Sequence, residues 1–151
     1  MKLTPNKINL FNIFNLPAVF LMGIKVKTLT DEFCNVSVKH RWINQNPFNS
    51  MFWAVQGMAA ELTTGALVMD KIQQSGKNIS MLVLNNKASF TKKATGRITF
   101  TCKQGLEVDK AIAKTIETGE GQTIWLNSVG VNSEGIQVSE FNFEWTLKVK
   151  S

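Results

Sequence analysis

The chain has 151 residues, of which 44% are hydrophobic and 19% charged, with 10 glycines and 3 prolines. This composition describes one globular domain, residues 1–151, and excludes disordered, collagen-like and multidomain readings. Lysine and arginine number 17 against 11 acids, and the resulting net charge of +6 serves solubility or attracts anionic partners.

The N-terminal segment, residues 1–24, is expected to be helical and to pack on the domain. Ile8 to Val26 is apolar, but Asn9, Asn12, Asn15 and Pro17 interrupt it. Only Leu16 to Ile24 is free of polar residues, short of the roughly 20 residues a spanning helix needs. No small-residue cleavage site follows Met22, so a removable leader is not expected. Lys25 to Arg41 reads as extended chain, a long strand or a hairpin, because Phe33, Val36 and Val38 are strand formers set among Thr and Ser. From about Pro47 to Gln74 apolar residues recur every third or fourth position, through Val55, Met58, Leu62, Ala66 and Met69. Asn46 and Pro47 suit a cap and first helical residue, with Asn49 and Ser50 as competing caps, and Ser75-Gly76 supplies the stop.

Downstream the pattern is mainly β. Ile79 to Phe90 reads as a strand, and Ile98, Phe100 and Cys102 alternate with polar residues. Leu106 to Glu117 is a predicted short helix. Gln122 to Val131 is a strand ended by Asn132-Ser133-Glu134-Gly135, and Phe141 to Lys150 alternates strictly. Ala88 to Cys102 leaves no room for a crossover helix, which excludes parallel pairing. The predicted class is α+β: a curved antiparallel sheet, counted as five strands, wrapped around one long central helix.

Within that helix a carboxylate stands where the pattern asks for none. Glu61 follows Ala54 by seven residues and Gly57 by four, and precedes Gly65 by four, so its face consists of side chains too small to cover it. Beside such a slot an acid is partly desolvated, its pKa rises, and it becomes a useful base or nucleophile. A solvated carboxylate, or one paired with a sheet-edge lysine, is the plain alternative. Cys34 and Cys102 lie far apart with no second pair, so neither a disulfide framework nor a metal site is predicted, and a reducing, cytoplasmic setting is expected. The lone His40, followed by Arg41, supports neither a hydratase nor a serine or cysteine triad, and no Gly-x-Ser-x-Gly elbow or phosphate loop occurs.

Arg41 to Gly65, with Lys87-Ala88-Ser89-Phe90 and the Phe100 strand, resembles the PaaI-like acyl-CoA thioesterases of the hotdog superfamily. The nearest likeness is to a subgroup known only as a domain of unknown function. The resemblance implies a curved sheet around a central helix, with subunits joined edge to edge. In that family an Asn precedes the helix, a His-Gly-Gly offers a backbone N–H to the thioester oxygen, and an acid lies further along. Those positions fall on Asn46, Trp53 and Glu61, but Phe52-Trp53-Ala54 replaces the His-Gly-Gly. A partner-subunit Ser or Thr falls on Ser80.

The resemblance implies a thioester hydrolase with Glu61 as general base or nucleophile and helix N-terminal amides polarising the carbonyl. Asn46 would orient water or thioester, and Ser80 would hold Glu61 or the water in line. Substrate contacts fall on Phe48, Met51, Phe52 and Gly57, and CoA phosphates on Lys92, Lys93 and Arg97 beside Lys87. The alternative is a non-catalytic acyl- or CoA-binding module. No cofactor is expected beyond CoA within the substrate. A homodimer or tetramer is expected, with no nucleic-acid or membrane partner.

Overall fold

A computed structural model of the chain describes residues 2–151. Its N-terminal segment forms two helices, because proline divides it. Helix α1 (Pro5–Asn15) begins where the Thr4 hydroxyl accepts the Lys7 amide at 3.3 Å. Pro17 ends it: a residue before proline is driven out of the helical region, and Leu16 sits at φ −131°, ψ 62° before α2 (Pro17–Leu21) starts.

The extended stretch is a hairpin of β1 (Lys25–Leu29) and β2 (Cys34–Lys39). Thr30 makes the turn, its hydroxyl accepting the Glu32 and Phe33 amides at 3.2 and 3.1 Å. The remaining strands are β3 (Ile79–Phe90), β4 (Arg97–Cys102), β5 (Gln122–Val131) and β6 (Gln137–Val149), with helices α3 (Trp53–Ser75) and α4 (Gly105–Thr118) between them. The hairpin raises the predicted five strands to six, in the order β1-β2-β4-β5-β6-β3, every neighbouring pair antiparallel.

Helix α3 starts at Trp53 rather than near Pro47. The Asn46 side chain captures the segment first: its Oδ1 accepts the Phe48 and Ser50 amides at 2.9 and 3.2 Å. Asn49 takes a left-handed φ of 59°, and Gln45 bridges Met51. Such local side-chain bonds compete with helix formation. At the other end Gly76, at φ 67°, terminates the helix in the left-handed region that glycine adopts freely.

The sheet curves around α3, which packs on β1, β2, β4, β5, β6 and α4. Burial of α3 is therefore wider than one apolar stripe, and between Ala59 and Val68 only Glu61 is less than fully buried. Hydroxyls enclosed there are satisfied, as burial requires. Thr63 Oγ1 donates to the Ala60 carbonyl at 2.6 Å and lies 2.8 Å from Ser128 Oγ, while Thr64 Oγ1 accepts the Trp145 indole N–H at 2.9 Å.

Cys34 and Cys102, distant in sequence, are register partners across β2 and β4, both buried as free thiols. Burial pushes them up to about 12 and about 11 respectively, which keeps both protonated and unreactive. The outer strand β3 exposes Leu82, Leu84 and Phe90 along its length. Among the described residues no helix is long and apolar enough to cross a membrane.

Candidate active site

The late start of α3 opens a cavity in front of the helix. The loop before the helix, its first turn and the end of β3 enclose about 530 Å³ lined by Asn46, Phe48, Met51, Phe52, Trp53 and Gln56, with Phe90, Lys92 and Lys93 at its edge. No side chain caps the helix, and the Val55 and Gln56 amides both turn onto the Phe52 carbonyl, at 3.0 and 3.3 Å. The Trp53 and Ala54 amides are left without an intrahelical acceptor, at the positive end of the helix dipole.

Gln56 adds a feature that no sequence pattern selects. It is 5% exposed; its Nε2 donates to the Met51 carbonyl at 3.3 Å, and its Oε1 is buried without a donor. An unpaired buried acceptor is costly and invites a donor from a ligand or water. A glutamine between Val55 and Gly57 carries no motif, and only the fold reveals its orphaned oxygen.

Asn46 lies in the cavity wall, but its amide is engaged within its own loop. Nδ2 donates to Ser50 Oγ at 2.9 Å and to the Met51 carbonyl at 3.3 Å. The side chain shapes the cavity; none of its donors is left for a substrate. Lys93 donates to the Phe48 carbonyl at 3.2 Å and so braces the same loop. Arg97 lies elsewhere, on the outer face beside Ser37, to whose hydroxyl it donates at 2.8 Å, and Lys87 covers the Trp125 ring at 5.2 Å. The basic group expected around one strand end is thus dispersed: Lys92 and Lys93 border the cavity, and Arg97 does not.

Glu61 is partly buried two turns further along α3. Desolvation holds its carboxyl above the ordinary glutamate range, and no ion pair among the described residues reaches it. Gly65 brings its neighbours close: a Cβ at that position would lie 3.6 Å from both Glu61 Oε1 and the Trp145 ring, in ordinary contact with each. A Cβ on Gly57 would meet the Phe141 ring at 3.4 Å. Phe141 and Trp145 belong to β6, whose outer neighbour is β3, so the Gly57-Glu61-Gly65 stripe faces the β3 side of the sheet.

Ser80 stands exposed on β3 with its hydroxyl donating to the Lys148 carbonyl at 3.2 Å, and does not line the cavity. Trp53 and Glu61 are also apart. Eight residues separate them on one helix, about 12 Å along its axis at the α-helical rise. One chain cannot present both to a single carbonyl.

Gly65→Ala is expected to raise stability by about 0.5–1 kcal/mol, because its Cβ makes ordinary contacts while the helix loses a glycine. Gly65→Leu is expected to crowd Glu61 and the Trp145 ring, which a Cβ alone would already touch. Thermal unfolding of both variants, compared with their hydrolytic rates, separates the space from the backbone effect.

Among the described residues no cluster of three His, Cys, Asp or Glu could hold a metal. No curated protein matches the chain. Solved structures do resemble it. A probable thioesterase from Pseudomonas aeruginosa matches at 19% identity and a TM-score of 0.82, with 99% of each chain covered. A thioesterase from Haemophilus influenzae matches at 12% identity and 0.74, covering 99% of this chain and 93% of the other. A mutant thioesterase, also from P. aeruginosa, matches at 14% identity and 0.75, covering 99% and 97%. These likenesses establish the hotdog fold expected from the sequence. A family model described as domain of unknown function DUF4442 matches residues 8–147, and the chain belongs to that family.

Proposed function

We propose that the protein hydrolyses an acyl thioester, with CoA as the leaving group, at a site completed by a second copy of the chain. The observation that carries this reading is Glu61: a partly buried carboxylate with no ion-pair partner among the described residues, held above the ordinary glutamate range by desolvation and flanked by Gly65 rather than by a larger side chain. The carbonyl oxygen would lie against the Trp53 and Ala54 amides, whose dipoles suit a developing oxyanion. Because Glu61 of the same chain is too distant, the acid comes from the partner. A two-fold through the exposed β3 edge pairs that strand's free N–H and C=O groups. It also runs the two α3 helices antiparallel, carrying each Glu61 toward the other chain's cavity.

As general base, Glu61 takes a proton from water as the water oxygen attacks the carbonyl carbon. The oxyanion then collapses, the C–S bond breaks, and the CoA sulfur leaves as thiol with the proton returned by Glu61. Direct attack by the carboxylate would instead give an anhydride that water then opens. Gln56 Oε1 would accept from the water or from an amide N–H of the pantetheine arm. Phe48, Met51 and Phe52 would contact the substrate, Met51 offering an adaptable wall, and Lys92 and Lys93 would meet its phosphates.

The engaged Asn46 amide and the indole where the family carries glycine favour a second reading, a module that binds acyl-CoA without cleaving it. Release of free CoA thiol from a panel of acyl-CoAs distinguishes the two. Turnover of at least one chain length supports hydrolysis. Saturable binding with no thiol release supports the binding module.

A further inference from the structure

Away from the cavity, the N-terminal helices build a different kind of surface. Leu10, Ile13, Phe14, Phe20 and Leu21 are exposed, Phe14 to 77%, and from Pro5 to Leu21 the only charged residue is Lys7. The segment is fixed rather than loose. Asn9 Nδ2 donates to the Val26 carbonyl and Asn9 Oδ1 accepts the Val26 amide, both at 2.9 Å, so one side chain closes part of the open edge of β1 and pins α1 to the sheet.

A groove of about 550 Å³ containing Leu10, Ile13 and Phe20 runs from these helices to Lys25 and Lys27. The same two lysines wall an adjoining cleft of about 200 Å³ with Lys39, Arg41 and Arg97. Five cations thus surround one hollow. No carboxylate lines it, and none of the five forms an ion pair among the described residues. Arg97 gives one N–H to Ser37 and retains others.

We propose that this face binds the surface of an anionic phospholipid bilayer. Apolar side chains of α1 and α2 enter the boundary of the acyl region, and Lys25, Lys27, Lys39, Arg41 and Arg97 meet the lipid phosphates. An apolar rim contiguous with an acid-free basic cleft matches the order of layers at a bilayer interface. A second copy docked here by a two-fold would set each basic cleft against its own image, and a nucleic acid would leave the apolar rim unused. Contact in the plane of the interface differs from spanning, and it departs from the sequence expectation of no membrane partner.

The test is sedimentation of the full chain with vesicles of phosphatidylcholine alone and of phosphatidylcholine mixed with phosphatidylglycerol. Binding to the mixed vesicles is expected to be stronger by about tenfold or more and to weaken with added salt. Lys25→Glu with Lys27→Glu is expected to cancel the preference, and Phe14→Asp with Leu21→Asp to reduce binding to the mixed vesicles, each with an unchanged circular dichroism spectrum. Equal binding to both vesicle types, or a preference that survives the lysine changes, overturns the proposal. So does full competition by millimolar inorganic phosphate, which assigns the cleft to free anions. A shift in oligomeric mass in the Phe14/Leu21 variant without loss of vesicle binding also overturns it and assigns the face to a contact between copies.

Discussion

Glu61→Gln is expected to lower thioester turnover by about 10²–10⁴-fold, the span a positioned general base supplies, while raising the melting temperature at neutral pH. Both effects have one cause. Burial raises the folded-state pKa of Glu61 above its unfolded value, so the fold favours the neutral acid. That contribution is fully present below the unfolded pKa and fades as pH rises through the folded pKa. At neutral pH the ionised carboxylate therefore works against the fold, and a neutral amide of similar shape relieves it. The wild-type rate is expected to rise with pH over the range in which Glu61 ionises, with a midpoint above the ordinary glutamate range, while the stability advantage of the variant grows over the same range. Thermal unfolding and kcat/KM measured from acid to neutral pH check both curves. A glutamine variant as active as the wild type removes Glu61 from the chemistry, and a melting temperature that falls at neutral pH shows the carboxylate to be held by stabilising bonds.

The sequence disclosed what periodicity encodes and missed what side chains negotiate locally. Alternation places β4 and the body of β6, and the three-to-four repeat places α3, because one wet face or one apolar stripe leaves a direct trace in residue order. The closeness of Gly65 to Glu61 is legible for the same reason: helix spacing alone makes residues four apart neighbours. The start of α3 was not readable. Asn46 suits a helix cap and an Asx turn equally well, and the choice fell to Ser50, Met51 and the left-handed Asn49, all within five residues. The hairpin at Thr30 is not distinguishable from one long strand in sequence, because its turn rests on a threonine hydroxyl rather than on a glycine or proline. Proximity in sequence groups Arg97 with Lys92 and Lys93, yet a strand residue's side chain follows the face it lies on, and this one belongs to the outer face with Ser37. Gln56 had no sequence signal at all, since an orphaned oxygen exists only relative to its surroundings.

The amide half of the site can be tested without disturbing the helix. Trp53 is the first residue of α3, a position where proline fits because no N–H is needed for the helix itself. Phe52, at φ −60° and ψ 135°, already has the extended backbone a residue before proline adopts. Trp53→Pro therefore deletes one N–H and the indole, and Trp53→Ala deletes the indole alone. The further loss from alanine to proline isolates the amide and is expected to be about 10²–10³-fold in kcat, as for removal of one oxyanion donor. Mixing then decides where the acid comes from. A dimer of one Glu61→Gln chain and one Trp53→Pro chain rebuilds an intact site only if each site combines one chain's amides with the other chain's carboxylate. With free subunit exchange, half the dimers are mixed and each holds one good site of two, so about a quarter of the wild-type rate should return from two inactive proteins. If each chain carried its own acid and amides, no mixed dimer would hold an intact site and the rate would stay at the level of the separate variants. The separation of about 12 Å along α3 between Trp53 and Glu61 predicts the recovery.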